Sequence, residues 1–147
     1  MKKFTLLTAV VLLVAMLFTA CAEKPAENVD LAAAMENLKA KGLTVGNSYK
    51  TQEELAEGND MLNLEIGAWG GDFTVELKKY ESLIQDGDQM KNVKFYTFGT
   101  QAQAKGYAEL YVSNRVSGNV FRVAYSGCTV IITNLPMVES EIKLEFK

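Results

Sequence analysis

Histidine is missing from all 147 residues. With it go the commonest general base and metal ligand, so Ser-His and Cys-His nucleophiles and histidine-based zinc sites are excluded. Cysteine occurs only at positions 21 and 128, without a CxxC, and neither a GxGxxG nor a Walker loop occurs. Dithiol, dinucleotide and nucleotide chemistry therefore have no support, and no metal or cofactor is expected. Beyond the N-terminus the basic residues are scattered singly or as the lone pair Lys78-Lys79. Neutralising phosphates takes clustered cations, so nucleic acid is excluded as a partner, and anionic headgroups would repel an acidic domain. The most apolar stretch, Phe4 to Phe18, is shorter than the about 20 residues that a membrane span requires.

What is present begins with an address. Met1-Lys2-Lys3, the apolar stretch to Phe18 and the small residues Thr19 and Ala20 before Cys21 make a secretory signal. The ending Leu17-Phe18-Thr19-Ala20-Cys21 resembles the lipobox of bacterial lipoproteins, with Phe18 standing where that family most often has Leu. The resemblance implies cleavage after Ala20, diacylation of Cys21 as the new first residue, and a partner in the membrane itself. Each buried methylene is worth about 0.8 kcal/mol and one acyl chain holds only marginally, so two or three would attach the chain durably. The expected site is extracytoplasmic, on the outer side of the cell membrane. Ala22 after the cysteine would permit sorting to an outer membrane in a diderm host.

Residues 21–28, small, polar and interrupted by Pro25, are expected to be a solvated tether. Removing residues 1–20 takes away two of the 15 basic side chains and none of the 18 acidic ones, which leaves 127 residues at net charge −5. Residues 29–147 are enough for one globular core without disulfides. With Cys21 lipidated, Cys128 is expected as a small hydrophobe in a strand. Were Cys21 unmodified, a bridge to Cys128 would be open to it in an oxidising compartment.

Along this domain the periodicity predicts a helix over Val29–Lys41, capped by Asn28 or Asp30 and stopped by Gly42, then a short strand Leu43–Val45. Thr51 and Glu54 form a capping-box pattern opening a helix of at most two turns, to about Gly58. Leu62, Leu64 and Ile66, then Phe73, Val75 and Leu77, alternate with polar residues around Ala68-Trp69-Gly70-Gly71-Asp72, which reads as an antiparallel hairpin. Glu81–Lys91 reads as a loop and Val93–Phe98 as a strand. Thr100 and Gln103 cap a helix to Asn114, within which Gly106 suggests close packing against the sheet. Val120–Tyr125 and Cys128–Thr133 form a second hairpin with a more buried return strand. Asn134-Leu135-Pro136 opens a last helix bearing Leu135, Val138 and Ile142, with an edge strand over 142–146 as the alternative.

The expected fold class is α+β, a mostly antiparallel sheet of two hairpins and additional strands with helices mainly on one face. In layout the chain is similar to small single-domain lipoproteins, mostly of Gram-positive bacteria. That likeness implies location and shape and transfers no functional residue.

Carboxylates are the remaining chemistry. Glu53, Glu54, Glu57 and Asp60 read as a solvated helix face, and Asp86-Gly87-Asp88 as a turn rather than a calcium loop. Glu65 and Glu76, placed on facing strands, are weighed as a glycosidase-like pair. Trp69, among glycines at the hairpin turn, with Phe73 nearby, is the candidate contact patch for a protein, peptide or glycan of the envelope; its alternative is a plug over the sheet edge. The expected function is a non-enzymatic, membrane-tethered binding domain. The alternatives are a carboxylate-based hydrolase of envelope material and a subunit of an envelope complex.

Overall fold

The computed structural model describes residues 29–147. The leader, the cleavage point after Ala20, the lipidation site Cys21 and the tether lie outside the described residues.

Helix α1 spans Leu31–Ala40, and of its two candidate caps Asp30 serves, its carboxylate accepting the Ala33 N–H at 3.0 Å. Strand β1 is Leu43–Ser48. The capping box forms as expected: the Thr51 hydroxyl accepts the Glu54 N–H at 3.1 Å and the Glu54 carboxylate accepts the Thr51 N–H at 3.0 Å. These backbone donors, Lys50 N–H first, hold the Glu54 carboxyl below its ordinary range.

Helix α2 then runs over Gln52–Ala68, 17 residues rather than two turns, and passes straight through the expected first strand at Met61–Ile66. Leu62 and Ile66, four apart, are buried on one helical face, whereas Met61 and Leu64 stand exposed. Asn59 and Asn63, also four apart, take over the pairing of the backbone beside them. Asn63 accepts from the Val75 N–H at 2.8 Å and donates to its carbonyl at 3.1 Å, and Asn59 accepts from the Leu77 N–H at 2.8 Å.

The expected hairpin turn is the stop of this helix. Gly71 N–H reaches the Ile66 carbonyl (2.9 Å) and Gly70 N–H the Gly67 carbonyl (3.1 Å), with Gly70 at φ +80°. This is the Schellman arrangement that satisfies the last carbonyls of a helix. Phe73 to Glu76 is connecting chain, not strand.

Strands β2 (Leu77–Gln85) and β3 (Asp88–Phe98) form the first hairpin, so the expected loop Glu81–Lys91 is two strand ends and a tight turn. Asp86 and Gly87 both have positive φ, +55° and +72°, as the two-residue turn matched to strand twist demands. Helix α3 is Gln101–Asn114 with its Thr100–Gln103 box formed. Strands β4 (Arg122–Ser126) and β5 (Thr129–Thr133) make the second hairpin, and helix α4 is Pro136–Ile142.

Among the described residues four helices accompany one five-stranded sheet in the order β1-β2-β3-β5-β4, every neighbouring pair antiparallel. The α+β class is as expected. The helices, however, cover both faces instead of mainly one. Met35, Leu38, Val138 and Ile142 of α1 and α4 pack on Leu83, Val93, Phe95 and Ile131. Leu62 and Ile66 of α2 and Ala104, Tyr107 and Ala108 of α3 pack on Tyr80, Phe98, Val130 and Ile132. The reason is visible in β5, whose successive residues Val130, Ile131 and Ile132 are all buried and alternate between the two cores. A strand apolar on both sides requires cover on both sides.

After α4 the chain returns beside β4. Phe146 is buried, and Lys147 and Val123 exchange both backbone hydrogen bonds at 2.9 and 3.0 Å. The helix reading of this terminus holds to Ile142; residues 143–147 form no strand, and Lys147, beyond the 142–146 of the edge-strand alternative, makes the one backbone pair with β4.

Candidate functional site

The residues singled out from sequence are distributed as follows. Trp69 caps the C-terminal end of α2, half-buried, its indole 6.2 Å from the Tyr107 ring and 5.9 Å, edge-on, from Tyr111. Phe73 lies against Gly106 of α3, where an added Cβ would come within 3.3 Å of the ring. The close packing expected of Gly106 is therefore with Phe73 rather than with the sheet. Trp69 and Phe73 are both brought to α3, at the seam with α2.

The two weighed carboxylates are separated in role. Glu65, on α2, accepts the Tyr107 hydroxyl at 3.0 Å, and Glu76, in the connecting chain, pairs with Lys78. They do not face each other across a hairpin. Glu53, Glu57 and Asp60 are exposed on α2, and Asp88 accepts the Met90 N–H at 2.9 Å. Among the described residues no three of His, Cys, Asp and Glu gather as a metal centre would require. Cys128 is a free, half-buried thiol in the β4–β5 turn, and its carbonyl accepts the Phe98 N–H at 2.9 Å.

Sequence reasoning missed a chain of aromatic rings beneath α2 and α3. Centroid spacings are 4.6 Å for Tyr49–Tyr80, 4.9 Å for Tyr80–Tyr96, 6.0 Å for Tyr96–Tyr107 and 6.5 Å for Tyr107–Tyr111. Tyr80 and Tyr96 meet because they are register partners on β2 and β3. Burial, reinforced by neighbouring phenols and Glu65, pushes the Tyr96 and Tyr107 hydroxyls far above the ordinary tyrosine range. Tyr96 and Tyr107 are thus neutral packing surface at physiological pH, and the chain of rings anchors the α2–α3 layer.

The feature with the form of a ligand site lies on the other flank of α3. A groove of about 530 Å³ runs between α3, which contributes Ala108 and Val112 with Glu109 and Ser113, and the edge of β4 at Val123 and Tyr125. Leu144, Glu145 and Lys147 of the returning tail form its third side. Its volume lies in the range of small-ligand and peptide clefts.

The tail is fastened at one end of this groove. Arg115 donates to the Lys147 carbonyl at 3.0 Å and to that of Phe121 at 3.1 Å; Arg122 donates to the Phe146 carbonyl at 2.8 Å and pairs with Glu139 at 3.0 Å. A straight antiparallel continuation of the Val123–Lys147 pair would place Glu145 opposite Tyr125. No backbone bond joins those two, so the tail leaves the edge there.

No protein-family model matches the chain, and neither a curated protein nor a solved structure matches it. Among the described residues no helix is long and apolar enough to cross a membrane.

Proposed function

We propose that this protein is a lipid-anchored, extracytoplasmic binding domain that works without catalysing a reaction. The observation that carries the reading is the N-terminal sequence: two lysines, an apolar stretch of 15 residues and Thr19-Ala20-Cys21, which resembles a lipoprotein processing site. Two or three acyl chains on Cys21 would supply membrane attachment by themselves. The globular part is then free to present a surface to an envelope partner. The groove between α3 and β4 supports binding as the role, and the engagement of Glu65 by Tyr107 and of Glu76 by Lys78 speaks against the hydrolase alternative.

The test is metabolic labelling with a clickable palmitate in a bacterial host that processes lipoproteins, followed by mass analysis of the N-terminal peptide. The expected result is label on the mature chain, a diacylglyceryl group at Cys21, and retention in the membrane fraction that Cys21→Ala abolishes. An N-terminus elsewhere, or an unmodified Cys21 thiol in the membrane-bound protein, overturns the anchor. Crosslinking in the same membranes identifies the neighbours.

A further inference from the structure

We propose that the open stretch of the β4 edge at Tyr125 receives an extended peptide carrying basic side chains, which joins the sheet as an added strand. The proposal rests on the binding role above and names the class of partner.

The parity of β4 is fixed from both of its sides. On the inner side, Ser126 and Thr129 close a two-residue turn, which makes them a hydrogen-bonded pair and makes Tyr125–Val130 and Val123–Ile132 non-hydrogen-bonded pairs. On the outer side, Val123 spends its N–H and C=O on Lys147. Tyr125, two residues further, directs its N–H and C=O to that same outer edge, where no described residue bonds them. A neighbouring donor and acceptor in this spacing are satisfied together by one residue of an extended backbone. The chain's own tail engages the edge in this way at Lys147, one pair upstream, but not at Glu145, so the edge is shaped to take a strand and among the described residues is left short of one.

The groove defines the side chains such a strand would bring. A residue paired with Tyr125 projects, as Val123 and Tyr125 do, toward α3, where Ala108 and Val112 offer an apolar wall. Of the residues two before and two after it, which share that face along a strand, one lies past the Ser126 end of β4 and the other turns off the edge toward the tail, because Lys147 already pairs with Val123. Glu109 on α3 and Glu145 on the tail stand exposed at the rim, and neither has an ion-pair partner among the described residues. A cationic residue at those positions matches them. Lys147 closes the far end, where its own backbone is tied to Val123.

The probe is the peptide acetyl-Lys-Ala-Val-Ala-Lys-amide, which as a strand places valine and both lysines on one face. It is titrated by NMR into the full mature lipidated chain in phosphatidylcholine nanodiscs, a surface without net charge. Expected are saturable amide shifts at Val123, Tyr125, Ala108 and Val112. Methylating the valine nitrogen should weaken binding about fivefold, the equivalent of one net hydrogen bond. Replacing both lysines by glutamate should weaken it several-fold, as loss of two exposed ion pairs implies.

Glu109→Lys with Glu145→Lys, at exposed positions that do not threaten folding, should invert the preference between the lysine and glutamate peptides. The proposal is overturned if the peptide leaves the Tyr125 and Val123 amides unmoved, or if the methylated and glutamate peptides bind as well as the parent. It also falls if the shifts arise on another face. Those results leave the palmitate labelling untouched, and if no label appears the same titration is made on the unlipidated chain in solution, so the two readings fail separately.

Discussion

Two glycines in one helix should respond to the same substitution in opposite directions. Gly58 and Gly67 both lie in α2, and on propensity alone replacing either by alanine is worth up to about 1 kcal/mol of added stability. At Gly67 a new Cβ meets nothing within 4 Å, so Gly67→Ala should realise about 0.5–1 kcal/mol. At Gly58 the same Cβ would lie 2.2 Å from Cε2 of Tyr49 and 3.0 Å from its Cζ. Carbon atoms pack best at roughly 3.5–4.0 Å, so the ring must withdraw by more than about 1 Å.

Withdrawal disturbs the 4.6 Å contact of Tyr49 with Tyr80, at the head of the aromatic chain. Forced overpacking costs about 1–3 kcal/mol, and a ring pair contributes about 0.5–1.5 kcal/mol. Against the propensity gain, Gly58→Ala should be net destabilising by about 1–2 kcal/mol. The two variants should therefore differ by about 2 kcal/mol in urea unfolding, or roughly 6–10 °C in Tm for a domain of this size. Gly58→Ala as stable as Gly67→Ala would refute the placement of Tyr49 on α2. With it would go the single long helix in place of a short helix and a strand.

Three further outcomes test the fold. Burial raises the Tyr80, Tyr96, Tyr107 and Tyr111 hydroxyls above the value of the unfolded chain, so their contribution is fully present below about pH 10 and is lost as pH rises beyond it. Stability measured by circular dichroism should be flat up to that point and then fall by up to about 1.4 kcal/mol per pH unit for each buried phenol, with the tyrosinate signal of the buried Tyr96 and Tyr107 appearing only as the chain unfolds. Asn63→Ala strands the buried Val75 amide and carbonyl and should cost about 1–3 kcal/mol in denaturant unfolding, more than Asn47→Ala on the exposed side of β1. Thr100→Ala removes the hydroxyl that caps α3 and should cost about 1 kcal/mol, which Thr100→Ser should largely restore.

The elements that sequence made legible are those whose signals are local and chemical. Thr51 with Glu54 and Thr100 with Gln103 state where two helices begin, and Asp30 and Gly42 bracket a third; no tertiary contact is needed to read them. The strand at Val93–Phe98 and the hairpin of β4 and β5 were likewise legible, because apolar alternation and turn residues agreed. Residues 61–66 were not. Leu62, Leu64 and Ile66 alternate as a strand would, yet the pair that is buried, Leu62 and Ile66, fits a helix equally well, and Leu64 is 75% exposed.

Gly58, Asn59 and Asp60 look like a break between a helix and a strand. In the fold Gly58 is small because the Tyr49 ring lies on it, and Asn59 is amidated because it bonds Leu77. Trp69-Gly70-Gly71 has the composition of a turn because a helix stop and a hairpin turn make the same demand on the backbone. These misreadings share one cause: the residues serve partners distant in sequence, so local statistics describe them wrongly.

The candidate groove could not be read for a related reason, and its position follows from how the two edges of the sheet are protected. At the β1 edge the register slips between Val45 and Ser48; the Ser82 hydroxyl accepts the Asn47 N–H at 2.8 Å and donates to its carbonyl at 3.2 Å, and Ile84 leaves no room for a side chain at Gly46. A bulge of this kind breaks the regular row of donors and acceptors that an added strand needs. The β4 edge is regular, and among the described residues its outer side carries one backbone pair, Val123 with Lys147. β4 becomes an edge at all because β5, later in sequence, inserts between it and β3. The sheet thus has one edge closed by its own backbone geometry and one to which the tail bonds at Val123 and not at Tyr125. Given that difference, an extended partner has its foothold on β4, beside the apolar wall of Ala108 and Val112, and not on β1, even though Val45 is the more exposed residue.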